Sequence, residues 1–175
     1  MSITTSFPQT GGKAKIETAE RSRIHSIGIA EILVVRAPEQ IRTVLGSCIG
    51  VAMYDQAAGV GGLSHVILPA SNEGSGDPGK FADTAVDLLL NRLLAEGADA
   101  KRIVAKIAGG ANMFSAQETG GLGKRNADAV QARLTHHSIS LMASAVGGTK
   151  GRKMRLDPAT GNVFVEIIGQ APKII

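Results

Sequence analysis

Two apolar runs, IGVAMYD (Ile49–Asp55) and GGLSHVIL (Gly61–Leu68), restrict this chain more than any other stretch. Each is too short for a stable helix, and the glycines of the connecting QAAGVG suit a tight reversal. The pattern predicts an antiparallel hairpin turning near Ala57 to Gly61. Whatever surrounds the hairpin has to cover it. The segment KFADTAVDLLLNRLLAEGA supplies one cover, with Phe81, Ala85, Leu88, Leu89 and Leu93 recurring at helical spacing and Gly97 as a C-terminal stop. NADAVQARLTHHSI predicts a second helix, with Asn126 as N-cap and Asp128 near the positive end of its dipole.

Further strands are expected in SIGIAEILVVRAP, which stops at Pro38, and in RIVAKIAGG, SLMASAVGG, GRKMRLDP and NVFVEIIG, the last two joined by DPATGN. Several strands with two main helices make an α+β domain. The polar first residues, 1–23, read as a flexible arm ahead of one domain spanning 24–175, and ASNEGSGDPG reads as a loop free to move. With 175 residues, 43% of them apolar but including no Trp, one Tyr and four Phe, the core must be aliphatic and closely packed through glycine.

One cysteine cannot form an internal disulfide, and the N-terminus has no apolar leader, so the cytoplasm is the expected setting. No stretch is apolar enough for membrane insertion. Charge is divided unevenly: residues 1–100 hold 8 Lys/Arg and 11 Asp/Glu, residues 101–175 hold 11 and 4. The basic half suits an acidic partner. A nucleic-acid partner has only this basicity behind it, since aromatic stacking platforms are scarce.

The single Cys48 lies where a loop feeds the first hairpin strand. A thiol there is either a small buried hydrophobe or a nucleophile, and the second role needs a base and backbone N–H groups for an oxyanion. Gly46 permits backbone angles that other residues resist, Ser47 and Gly50 are small, and the N–H of Cys48 itself can point at a bound carbonyl. Of His25, His65, His136 and His137, only His65 lies on the strand that the hairpin returns beside Cys48. It reads equally as a core histidine. Thr43 stands near enough in sequence to anchor the ring, or is simply a β-branched strand residue. Asp55 belongs to the hairpin turn, away from the thiol. Ser47 and Ser64 lack a nucleophile elbow. His136 and His137, adjacent on a helix, point apart and make a poor metal pair, and no zinc spacing occurs. GGANMF, TGGLGKRN and GGTKGRK match no phosphate-binding pattern.

Five segments in order, TVLGSCIGVAMYD, GLSHVILP, AKIAGGANMF, LGKRN and GGTKGRKMRLDPATGNVFV, resemble the motifs of the CheD family of chemoreceptor glutamine deamidases over roughly Ile24 to Ile168. The resemblance implies a three-layer α/β/β sandwich with mixed, mostly antiparallel sheets. It also implies hydrolysis of glutamine side chains through a thioester, without a cofactor or metal, by Cys48 as nucleophile, His65 as base and Thr43 as third member, with the backbone N–H groups of Ser47, Cys48 and Ile49 holding the oxyanion. The partners it implies are the cytoplasmic helices of chemoreceptors, with Lys150, Arg152, Lys153 and Arg155 as candidate contacts, and a CheC-type phosphatase. Under a second reading the chain is an adaptor that binds both partners, with catalysis secondary.

Overall fold

The computed structural model describes residues 22–71, 76–112 and 121–175. The arm expected over 1–23, the middle of the 70–79 loop, the Met113-Phe114 end of AKIAGGANMF and the start of TGGLGKRN therefore lie outside the described residues, apart from Ser22 and Arg23.

The expected hairpin is present: β4 (Ile49–Asp55) and β5 (Val60–Val66) pair antiparallel, with Gly50 opposite His65 and Asp55 opposite Val60. Both strands are buried throughout. Fully buried strands need cover on both faces, and alternation of side chains assigns each residue to one of them. Ile49, Val51, Met53, Val60 and Val66 face α1 (Ala82–Ala95) and α2 (Leu122–His136) in one core. Ala52, Tyr54 and Leu63 face a second sheet in another.

The sheet containing the hairpin runs β2 (Ile32–Arg36), β5, β4, β6 (Val104–Gly109), β7 (Ser140–Val146). The second runs β1 (Ile24–Ser26), β3 (Gln40–Leu45), β8 (Arg152–Asp157), β9 (Asn162–Ile167), β10 (Lys173–Ile174). Only the β1–β3 and β6–β7 pairs are parallel. The result is the α/β/β sandwich, its hairpin sheet held between helices and second sheet.

Glycines let the three layers close. A Cβ on Gly62 would stand 2.5 Å from Leu89 Cδ1 of α1, and one on Gly50 would stand 2.5 Å from Met154 Sδ of the other sheet. On α1, Ala85, Leu89 and Leu93 are buried as expected, but Val86 is buried in the stripe and Leu88 is half-exposed. Gly97 takes φ +88°, consistent with its role as helix stop.

Three local expectations are corrected. The strand expected in SIGIAEILVVRAP is present as β2 but begins only at Ile32: Ser26 closes the separate strand β1 of the other sheet, and the chain turns between them at Gly28–Ala30, where Gly28 N–H donates to Glu31 Oε2 at 2.6 Å and Ala30 has φ +64°. The second helix begins at Leu122, capped by the backbone of Gly121, so Asn126 is interior and fully buried. Asp128 accordingly lies past the first turn and pairs with Lys124 at 2.5 Å. Lastly, β3, not anticipated as an element, follows the alternation i-B-e-B-e-B that turns Ile41, Thr43 and Leu45 inward.

At the end of β4 the carboxylate of Asp55 is fully buried. It accepts from Arg102 Nε at 3.1 Å and the second guanidinium nitrogen at 2.7 Å, from Asp99 N–H at 2.9 Å and from Ala58 N–H at 3.2 Å. One side chain thus ties the hairpin turn to the α1–β6 connection. The Arg102 hydrogen bonds, outweighing burial, hold its pKa down at about 2. Because the folded state keeps the carboxylate ionised, the stabilisation is complete above the ordinary carboxyl range and disappears as pH falls toward 2. Asp55→Asn is expected to cost about 2 kcal/mol at pH 7, a figure reduced because Arg102 is half-exposed. Urea unfolding should show the gap between wild type and variant closing as pH falls from 4 toward 2 (about the range set by those pKa values).

Candidate active site

Thr43 and His65 come from different sheets and meet between them. Thr43 Oγ1 lies 2.9 Å from His65 Nδ1 and 2.9 Å from the carbonyl oxygen of Ile27. A carbonyl only accepts, so the hydroxyl proton goes to Ile27, and Oγ1 is left to accept from the ring. His65 Nδ1 therefore carries a hydrogen, and in the neutral ring Nε2 is the bare, basic nitrogen. Nε2 is buried and has no partner among the described residues.

The strand register supplies the thiol. His65 pairs with Gly50, and Cys48 stands two residues ahead of Gly50, hence on the same face of the sheet at a diagonal position. That face looks toward the second sheet, and the half-buried Cys48 packs against its core. Thiol and imidazole thus enter one layer, with Gly50 contributing no side chain between them.

Residues 46–48 form a bend whose three carbonyls are all held. Gly46 O accepts from Ala111 N–H at 2.8 Å, Cys48 O from Gly110 N–H at 2.8 Å, and Ser47 O from Asn126 Nδ2 at 3.4 Å. Among the described residues no backbone carbonyl takes the N–H of Ser47 or Cys48. The seat depends on missing side chains: a Cβ on Gly109 would stand 2.1 Å from Cys48 O, and one on Gly123 would stand 2.4 Å from Gly110 O. The glycine-rich motifs are backbone-to-backbone seats for the cysteine bend. Gly109, Gly110, Gly123 and Asn126 were not singled out as site residues, although all four stand in segments that carry the family resemblance.

Burial pushes the Cys48 thiol above its ordinary 9.0, against the opposing pull of its own N–H and the Ser47 side chain. Burial likewise lowers His65, opposed by the charge of Glu31. Both shifts favour the uncharged form. No carboxylate stands where Thr43 does, so an imidazolium would gain little there. Asp55 is at the far end of β4, and Ser64 points to the helix side of the sheet.

The four basic candidates do not form one patch. Arg152 is 4% exposed and turned inward, where it donates to Ala145 O at 2.5 Å, to Gly147 O, and to Lys150 O at 3.3 Å. It pins the 147–150 turn, which corrects its reading as a surface contact. Lys150 is exposed on that turn, with its Nζ beside Gly169, and the turn itself joins the end of β6 through the Gly147 N–H to Gly109 O bond. Lys153 and Arg155 lie on the outer face of the second sheet, the first paired with Glu166 at 3.6 Å and the second stacked 3.9 Å from the Phe164 ring. His137 Nε2–H donates to the Asp87 carboxylate at 2.6 Å, joining the helices away from this site. Among the described residues no cluster of His, Cys, Asp and Glu has metal-ligand geometry, and no helix is long and apolar enough to cross a membrane.

The family model "CheD chemotactic sensory transduction" matches residues 67–167, beginning just past His65. The "Probable chemoreceptor glutamine deamidase CheD" of Clostridium botulinum strain Eklund 17B is 44% identical over 149 residues, covering 82% of this chain and 92% of the relative. Its namesake in Clostridium tetani is 41% identical over 157 residues, covering 86% and 95%. That of Syntrophomonas wolfei is 39% identical over 160 residues, covering 88% and 99%. In each case the part left unmatched is shorter than the segment preceding Thr43, so the similarity takes in Thr43, Cys48 and His65. Among solved structures, the hypothetical protein YfiH of Bacillus licheniformis superimposes with a TM-score of 0.41 at 17% identity, covering 73% of this chain and 60% of that one.

A thiol and an imidazole in one layer, both favouring the uncharged form, have a measurable signature. Alkylation by iodoacetamide should rise with pH to a midpoint above 9.0. A rate already at its plateau near neutrality would mean a preformed thiolate–imidazolium pair instead.

Proposed function

The chain belongs to the CheD family, and we propose that it hydrolyses glutamine side chains of chemoreceptors to glutamate, with Cys48 as nucleophile. The observation that carries this reading is the Thr43–His65 hydrogen bond, which leaves the basic nitrogen of His65 in the layer that Cys48 enters. A histidine kept for packing alone would have little reason to hold a buried nitrogen without a partner. The names of the relatives, deamidases of chemoreceptors, supply the substrate.

His65 Nε2 takes the thiol proton as sulfur attacks the amide carbon, forming a C–S bond and moving the carbonyl electrons onto oxygen. Backbone N–H groups of the Ser47–Ile49 bend stabilise that oxyanion. As the intermediate collapses, the C–N bond breaks and His65 Nε2–H delivers its proton to the departing ammonia. Water then adds to the thioester, giving up a proton to Nε2, and the second collapse returns glutamate and the Cys48 thiol. Thr43 keeps the ring in the tautomer that both half-reactions require and adds no charge. Because thiol and imidazole start uncharged, formation of the thiolate coincides with attack.

Receptor helices that present glutamate and glutamine would meet a basic surface. Lys150, exposed on the 147–150 turn, offers one contact, and Lys153 and Arg155 offer a second on the outer face. Arg152 serves the same surface indirectly by holding the turn. An adaptor with incidental catalysis would not need the basic nitrogen of His65 held free.

Incubation with a receptor cytoplasmic fragment, followed by peptide mass spectrometry, should reveal the mass gain of amide-to-acid conversion at particular glutamines. Cys48→Ala should abolish it while leaving receptor binding within about twofold, since a small buried thiol contributes little to docking. Equal conversion by wild type and variant would overturn the nucleophile assignment.

A further inference from the structure

Asn126 occupies a position that ordinary helix packing does not account for. It is fully buried in α2, and its Nδ2 donates to Ser47 O at 3.4 Å and to Ile67 O at 3.0 Å. Two carbonyl acceptors fix which end of the amide points at them. Its Oδ1 is buried without a partner among the described residues. A buried amide that is only half satisfied is a poor choice for stability, so its two bonds deserve a separate reason.

Those two bonds bracket the reacting groups. Ser47 immediately precedes the thiol residue, and Ile67 follows His65 by two positions on the continuation of β5. A trans peptide is planar, with its C=O and N–H pointing in opposite directions. Turning Ser47 C=O toward α2 therefore turns Cys48 N–H away from α2, and this N–H does lie close enough to its own sulfur to lower the thiol pKa. Gly110 and Ala111 hold the neighbouring carbonyls by backbone alone, so Asn126 is the side chain that sets the middle peptide of the bend.

We infer that Asn126 is a positioning residue for the oxyanion site: its amide holds the Ser47–Cys48 peptide so that Cys48 N–H faces the oxygen that becomes charged during attack. The inference rests on the deamidase reading for its substrate, but its geometry concerns any carbonyl attacked by Cys48. It predicts that Asn126 matters to reactions that develop an oxyanion and not to those that only use the sulfur.

The test compares two reactions of one thiol in wild type, Asn126→Ala and Asn126→Asp, with thermal unfolding as the check on folding. Iodoacetamide alkylates sulfur by displacing iodide at a saturated carbon, so no carbonyl oxygen gains charge. Butanal, whose four carbons match Cα to Cδ of glutamine with an aldehyde in place of the amide, adds to the thiol as a hemithioacetal whose oxygen occupies the oxyanion position. In Asn126→Ala, butanal protection of Cys48 and kcat for receptor glutamines should both fall by about tenfold or more, with KM and the alkylation rate, read at its high-pH plateau where the thiol is fully ionised, near wild type. Asn126→Asp, similar in shape but without amide donors, should behave alike. Alkylation falling in step with butanal binding would reduce Asn126 to general support of the bend and overturn the inference, as would unchanged butanal binding in both variants. Should one variant fail to fold, the other decides. Wild type that binds butanal but leaves receptor glutamines untouched would sink the substrate reading, while the butanal comparison still judges Asn126.

Discussion

The hydroxyl of Thr43 carries one proton, and the carbonyl of Ile27 takes it. Everything chemical about the site follows from that assignment. The oxygen is left as an acceptor for the nearer ring nitrogen of His65, and the farther nitrogen becomes the base. A carboxylate in the same place would have imposed the same tautomer, but it would also have stabilised a charged ring. With threonine, the charged ring gains no such stabilisation, and in the proposed mechanism it stays neutral until it receives the proton of the attacking thiol. Since Thr43 belongs to one sheet and His65 to the other, the bond also requires the two sheets to face each other at the right register. The sandwich is therefore part of the mechanism.

The cysteine bend is positioned by a different kind of contact. Its carbonyls are held by Gly110, Ala111 and Asn126, and Gly109 and Gly123 bring backbones together at separations that no side chain would allow. The end of β6 packs on the bend, and the start of α2 packs on the end of β6. Helices and sheets thus converge on three residues, with small side chains at each interface. This arrangement leaves the N–H groups on the outer side of the bend available while the carbonyls are fully used within the fold.

Much of this was legible in the residues. The hairpin could be read from two apolar runs and their glycines, and the hairpin alone places His65 beside the entry of Cys48. The first helix was legible from its period and its glycine stop. Thr43 could be named from its nearness in sequence and from the family resemblance, but its contact crosses between sheets, and no local pattern encodes which strands of two sheets face each other. Asn126 was misread for a related reason. Asparagine ahead of an apolar period is a common cap, whereas here glycine starts the helix a turn earlier and the asparagine is spent on a distant loop. Arg152 shows the same limit: its charge suggested a surface contact, and only the fold reveals carbonyls gathered around it. The separate strand β1 was hidden because the turn at Ala30, which divides it from β2, relies on a positive φ that alanine seldom adopts.

The protonation state of the His65 ring is the quantity on which the mechanism turns. Nitrogen-15 NMR of the histidine side chains at neutral pH, assigned with a His65 variant, reads it without substrate. A hydrogen on Nδ1 and a bare Nε2 are predicted, unchanged on replacing Cys48 by serine. A ring protonated at Nε2 alone, or at both nitrogens at neutral pH, would contradict the account.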